Sequence, residues 1–229
     1  MSKTLHDPHA EPLAEQEERR VGWRVYVTVL AILSVLLCAF LITRYTAYRE
    51  LQEKFFGQTL VPAKDAYDFH LVDQDGKPFQ LSQLRGKIAL FSFGFTHCPN
   101  VCPTTLADLA KVYRAVPDKD RPQLQILFIT IDPDRDSADK MKEYVPYFDA
   151  TFKGLTGSAD QIAQTAKAYG AFYEKQPTTG EDPNVYFMNH SAYIYLIGPD
   201  GKWRILYGFD QLNETEKIAG DIERVIRGL

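Results

Sequence analysis

Between Arg24 and Arg44 the chain runs 19 residues without a charge, VYVTVLAILSVLLCAFLIT. Coiled as a helix, that run extends about 28 Å, close to the hydrocarbon thickness of a bilayer. It is apolar on every face, whereas a helix lying on the core of a small domain is amphipathic. A transmembrane helix is therefore expected. A cleaved signal peptide fits less well, because about twenty mostly polar residues precede the run and no clear small-x-small site follows it. Cys38 lies within the run behind Val35, Leu36 and Leu37, without the small residue that precedes a lipidated cysteine, and reads as apolar filler. The expected layout is a polar tail over 1–20, a transmembrane helix over 21–44, a stalk over 45–60 and a folded domain over 61–229. In the stalk Tyr48, Leu51 and Phe55 carry a helical stripe as far as Gly57, and Pro62 opens the domain.

The tail holds five acids and three bases, the wrong balance for an Arg-rich, acid-poor mitochondrial presequence, so a bacterial plasma membrane is favoured. Arg19, Arg20 and Arg24 before the span are matched by Arg44, Arg49 and Lys54 after it, and charge alone leaves the orientation open. The net charge is −4 and no basic stripe is found, so no nucleic-acid partner is expected.

From residue 62 onward, strand and helix patterns alternate. Tyr67, Phe69 and Leu71 lead into a hairpin turn at Asp75-Gly76, with Phe79 and Leu81 beyond it. Two dense apolar runs, 88–93 and 124–131, have the length of buried strands. Helical stripes follow at Leu106, Leu109, Ala110 and Tyr113, and at Met141, Tyr144, Val145 and Phe148, the second started by Asp136 or Ser137 and disturbed at Pro146. Ser158 and Gln161 form a capping box for the next helix, which stops at Gly170. Residues 174–184 read as a polar loop containing Pro177, Gly180 and Pro183. Two strands, 192–197 and 203–207, and a last helix with Ile218, Ile222, Val225 and Ile226 close the chain. Buried runs alternating with helices imply parallel central strands, and the terminal hairpin adds antiparallel ones.

Three cysteines are too few for a disulfide scaffold, and two lie four positions apart, Cys98 and Cys102. A strand that delivers two cysteines to a helix start is the arrangement of thioredoxin-like domains. There the free N–H groups and the positive helix end favour thiolates, and both sulfurs are expected to deprotonate easily. Pro103 suits the first helical position. Three residues between the sulfurs, where a redox Cys-x-x-Cys pair has two, give them more freedom to clamp an ion.

Of five histidines, His6 and His9 sit in the tail and His70 within a hydrophobic strand. His97 precedes Cys98 but points away from it in an extended segment. His190 follows the polar loop and opens the strand that begins SAYIYLI, so it could swing onto the cysteines and off again; a structural role is equally open on the strand pattern alone. Asp132, at the end of the second buried run, should share a sheet edge with the cysteines. Met188 could offer a thioether, although a core role suits it better.

GFTHCPNVCP at 94–103, IDPDRDS at 131–137 and NHSAYIYLIGPDG at 189–201 together resemble the Sco (SenC) family of membrane-anchored copper chaperones. The resemblance implies an α/β fold: a thioredoxin-like domain with a mixed central sheet flanked by helices, preceded by one N-terminal transmembrane helix. It implies copper, Cu(I) or Cu(II), bound by Cys98, Cys102 and His190. It further implies delivery of that copper to the CuA centre of cytochrome c oxidase subunit II, with other periplasmic copper carriers as further partners. The soluble domain would then face the periplasm from the bacterial inner membrane, and Asp132 and Arg135 would support the site or contact a partner, with a turn-and-cap role for the DPDRDS segment also open. In two places the sequence departs from the family pattern, with Asn100 between the cysteines and Asn189 before the histidine where an acid is common.

The donor set agrees with the resemblance, because soft thiolates select Cu(I) and an added imidazole makes a site that tolerates Cu(II). Zinc would want a fourth ligand, from Asp132 or water. The competing function is a thiol-disulfide oxidoreductase that reduces the CuA-site cysteines of the oxidase subunit with the same two sulfurs. A peroxiredoxin-like peroxidase fits less well, because that motif places Thr three residues before the attacking cysteine, and here Thr96 stands two before Cys98.

Overall fold

The computed structural model describes residues 13–177 and 186–228, so the tail as far as residue 12 and the loop positions Gly180 and Pro183 lie outside the described residues. The chain divides after Glu50 into two units. Helix α1 (Leu13–Lys54) carries the apolar run, and its side chains from Val25 to Ile42 are exposed. From Gly22 to Lys54 it is long and apolar enough to cross a membrane. Uniform apolarity leaves such a helix no polar face to turn toward water.

The second unit is built from β1 (Gln58–Asp65), β2 (His70–Asp73), β3 (Pro78–Gln80), β4 (Ile88–Gly94), α2 (Val101–Ala115), β5 (Leu124–Thr130), α3 (Ala138–Tyr144), β6 (Lys153–Thr156), α4 (Ala159–Ala168), β7 (Tyr173–Pro177), β8 (Tyr186–His190), β9 (Ile194–Ile197), β10 (Lys202–Tyr207) and α5 (Thr215–Ile226). Eight strands form one sheet in the order β1-β10-β9-β4-β5-β6-β2-β3. In its centre β4, β5 and β6 run parallel, with Ile88 opposite Leu124 and Gly94 opposite Thr130, and the remaining pairs are antiparallel. Every residue of β4 is buried, Ser92 included, as a largely apolar strand covered on both faces requires. The sheet is mixed, as the sequence led us to expect.

Register assigns the two faces. Phe91 and Tyr195 are partners across β4 and β9, their rings stack at 5.1 Å, and Tyr169 at the end of α4 meets Phe91 edge-on at 5.0 Å. On the opposite face Ser92 pairs with Phe128, whose ring meets Tyr144 of α3 at 5.8 Å. Helix α2 lies on this second face, because a side chain added at Gly94 would come within 2.9 Å of Cys102 Sγ.

Several local expectations change. The edge strand β1 begins at Gln58, inside the expected stalk, and Pro62 lies within it at a register break between Thr59 and Lys64. An edge position tolerates proline because its missing N–H faces no partner there. Of the loop expected over 174–184, residues 174–177 belong instead to strand β7, which pairs with β8 in a two-stranded sheet, and 178–184 lie outside the described residues. His190 closes β8 and does not open the next strand, which starts at Ile194. Ser137 caps α3 by accepting the Lys140 N–H, leaving Asp136 free for another task. The domain's entry is pinned where the buried Asp221 of α5 accepts the backbone N–H groups of Phe56 and Gly57 at 3.0 and 2.9 Å.

Candidate metal centre

Strand β4 ends at Gly94, the chain turns through 95–100, and α2 starts at Val101. The turn is closed by the Cys98 N–H donating to the Phe95 carbonyl at 3.2 Å. Cys98 therefore sits ahead of the helix and half-buried, while Cys102 lies in the first helical turn and is 2% exposed. Pro103 occupies the third helical position, not the first; its missing N–H still costs no bond, because the first-turn donors have no intrahelical partner.

Those free donors act on Cys98. The Cys102 N–H points at Cys98 Sγ at 3.4 Å. The Cys98 thiol is held well below its ordinary range, first by the hydrogen bond from the Cys102 side chain and then, against the opposing effect of burial, by His190 and the Cys102 and Asn100 N–H groups. Cys102 moves the other way, because it shares its proton with Cys98 and is buried besides. The expectation of two easily ionised sulfurs is thus corrected: without metal the pair keeps one proton, with the negative charge on Cys98. Two sulfurs this close in a dry setting cannot both be anions unless a cation joins them.

The third member arrives from the hairpin. Residues 186, 188 and 190 share one face of β8, with Tyr186 and Met188 buried and His190 half-buried. His190 Nε2 stands 3.4 Å from Cys102 Sγ, and its ring meets Phe95 edge-on at 6.0 Å. His190 Nδ1 lies 3.0 Å from the Ser191 carbonyl, which can only accept, so Nδ1 carries a proton, and the Nε2 that faces the sulfurs donates to the Cys98 thiolate when protonated and offers its lone pair to a metal when not. A donor atom from each of Cys98, Cys102 and His190 lies within 4.8 Å of the other two. Two sulfurs and one neutral imidazole nitrogen suit a soft or borderline metal.

The other singled-out residues fall nearby but do not join this group. Asp132, 3% exposed, pairs with Arg135 Nε at 2.5 Å and accepts the Tyr186 hydroxyl at 2.5 Å. The Arg135 guanidinium lies 3.6 Å from the Tyr186 ring centre and 5.9 Å from that of Phe95. Met188 packs in the core cluster. His97 turns away from the cysteines, with Nδ1 3.8 Å from Asp136.

Asp136 is the residue that sequence reasoning missed. Fully buried, it accepts the Thr96 N–H at 3.0 Å, the Thr96 hydroxyl at 2.5 Å and the Thr130 hydroxyl at 2.7 Å. It ties the turn bearing Cys98 to the end of β5. Its only sequence signal was the third acid in IDPDRDS, already explained there as a helix cap.

Known proteins carry the same arrangement of elements. Residues 58–227 match the SCO1/SenC family model. The mitochondrial SCO2 homolog of Mus musculus is 39% identical over 160 residues, 69% of this chain and 61% of its own length, so the chain spans less than two thirds of that relative. A putative copper-binding protein of Stutzerimonas stutzeri is 39% identical over 146 residues, 63% of this chain and 70% of that one. The solution structure of apo Sco1 from Thermus thermophilus aligns with a TM-score of 0.68 at 34% identity, covering 75% of this chain and 96% of that one. Copper-bound ScoI of Bradyrhizobium japonicum aligns at 0.63 and 38% identity, covering 70% and 98%. A match over nearly the whole second unit, together with a relative 39% identical and covered over 70% of its length, places the chain in the SCO1/SenC family.

Proposed function

We propose that this protein is a membrane-anchored copper carrier that delivers copper to the CuA centre of cytochrome c oxidase subunit II. The reading rests chiefly on the convergence of Cys98, Cys102 and His190 from a turn, a helix and a separate hairpin. The solved ScoI relative of Bradyrhizobium japonicum has copper bound, and the Stutzerimonas relative bears the name copper-binding protein, which supports copper as the cargo. The two sulfurs retain Cu(I), and the imidazole completes a three-donor set that also holds Cu(II). Three donors leave room for a ligand of the acceptor to attach before His190 departs, so transfer proceeds by exchange. The apolar run of α1 anchors the chain in the bacterial inner membrane, with the domain in the periplasm. Asn100 and Asn189 carry no charge beside the site, so the approach of a partner depends less on salt than carboxylates at those positions would make it.

The full chain in detergent, titrated anaerobically with Cu(I) while free thiols are counted, tests this reading. One copper per chain with both thiols protected is expected, and Cys98→Ala or Cys102→Ala should abolish retention. A double cysteine variant that retains a full equivalent would refute it.

The unequal sulfurs favour a second reading, a thiol-disulfide oxidoreductase. A Cys98 thiolate would attack the disulfide of the oxidase subunit, and the buried Cys102 would then displace the mixed disulfide. The substrate leaves as a dithiol and a Cys98–Cys102 disulfide forms. Rapid reduction of insulin by the copper-free protein would favour this role.

A further inference from the structure

Among the described residues, the hairpin that carries His190 makes no ladder to the eight-stranded sheet, so something other than strand pairing must set its position. At its far end Tyr186 is held at several points. Its hydroxyl donates to Asp132 Oδ1 at 2.5 Å and its carbonyl accepts from Arg135 Nη1 at 3.1 Å. The Arg135 guanidinium and the Lys175 ammonium each lie 3.6 Å from the ring centre. Two cations cannot share one side of a ring at that distance without colliding, so they occupy opposite faces and clamp it. Asp132 is itself fixed, its N–H donating to the Thr130 hydroxyl at 2.9 Å and its second oxygen taken by Arg135. The fixed point is thus the end of β5, the strand whose neighbour β4 leads to the cysteines.

We infer that Tyr186 is a positioning residue for the third copper ligand: bonded to Asp132 and held by Arg135 on the body of the domain, with Lys175 of β7 bracing its other face from within the hairpin, it holds the β7–β8 hairpin so that His190 reaches Cys102. The inference rests on the reading of Cys98, Cys102 and His190 as copper ligands. Tyr186 and His190 lie on one face of β8, about 13 Å apart along the strand. Met188, between them on that face, is buried in the core. When the clamp opens, the hairpin keeps only the packing of Met188 as its hold on the core and His190 is no longer fixed against Cys102, while the sulfurs stay on the β4–α2 turn. A three-donor site becomes a two-sulfur site. Cu(I) is content with two thiolates, whereas Cu(II) loses the nitrogen that suits it. The signature of Tyr186 is therefore an effect that depends on oxidation state.

The test uses the full chain in detergent as wild type, Tyr186→Phe, Tyr186→Ala, His190→Ala and the Tyr186→Ala/His190→Ala double variant. Affinities for Cu(I) and Cu(II) come from chelator competition, with the thiolate-to-Cu(II) absorption band followed in parallel. Tyr186→Ala should weaken Cu(II) binding roughly 10- to 100-fold, the scale of residues that orient a metal ligand. Tyr186→Phe, which keeps the clamped ring, should weaken it less. Cu(I) affinity should change by less than about threefold, and the double variant should bind Cu(II) no more weakly than His190→Ala. In the metal-free protein, Tyr186→Ala should speed amide exchange over Phe187–His190 and leave β4 and β5 unaltered. Equal losses for both oxidation states, additive effects in the double variant, or unchanged hairpin exchange would each overturn the inference. Copper binding by the wild type that ignores the cysteines would instead defeat the ligand reading, and hairpin exchange would still decide whether Tyr186 holds the strand.

Discussion

Asp136 accepts the Thr96 backbone N–H at 3.0 Å, which makes a carboxylate after β5 responsible for the turn that presents Cys98. Its other oxygen takes the Thr96 hydroxyl, and no part of the side chain reaches solvent. Asp136→Ala strands buried donors on Thr96 and Thr130, a loss of about 2–4 kcal/mol in stability. Chemical denaturation should show that loss, and copper affinity should fall with it as Cys98 loses its fixed turn. Asp136→Asn keeps part of the network and should fall between Ala and wild type.

Gly94 is required by close approach. An added Cβ would stand 2.5 Å from the Phe128 ring and 2.9 Å from Cys102 Sγ. Gly94→Ala must push the ring, the sulfur or both, at a cost of about 1–3 kcal/mol. Thermal melts with and without Cu(I) should show a lower midpoint and a smaller stabilisation by metal than in wild type.

The unequal cysteines should be visible in their reactivity. In the metal-free folded protein at pH 6, iodoacetamide is expected to modify Cys98 first, with Cys102 reacting after denaturation. The Cys102 side chain contributes most to lowering Cys98. Cys102→Ala should therefore slow alkylation of Cys98 at pH 6, by roughly severalfold, as mass spectrometry of the labelled peptides would report.

Asp73 supplies a pH signature remote from the metal. Burial pushes its carboxyl up, but the N–H groups of Lys77 and Asp75 and the Lys153 ammonium outweigh that and hold it below the ordinary carboxylate range. A depressed acid contributes stability that is present above its unfolded value and lost as pH falls through the folded one. Asp73→Asn should cost about 1–2 kcal/mol at pH 7. The difference from wild type should shrink in melts taken at pH values progressively below the ordinary carboxylate range.

What could be read ahead of the structure was local chemistry. The central strands 88–93 and 124–131 were legible because both of their faces are apolar. Cys98 and Cys102 were legible because four residues bring them to one helix start. The β7–β8 pair was not legible, since the residues of YEKQP after Tyr173 are polar enough to pass for a loop, and the pairing depends on Tyr186 and Met188 finding the body of the domain. The same blindness hid Asp136, whose bonds to Thr96 span 40 positions. The unequal ionisation of the cysteines also escaped, because it follows from their distance to each other and to His190, which no spacing rule contains.

The hairpin's independence from the main sheet carries a kinetic consequence. Parting β8 from the domain breaks side-chain contacts and no rung of the eight-stranded ladder, so it is a local fluctuation of the kind that recurs in microseconds to milliseconds. On the copper-carrier reading proposed above, release through such an opening would require no denaturation of the eight-stranded sheet.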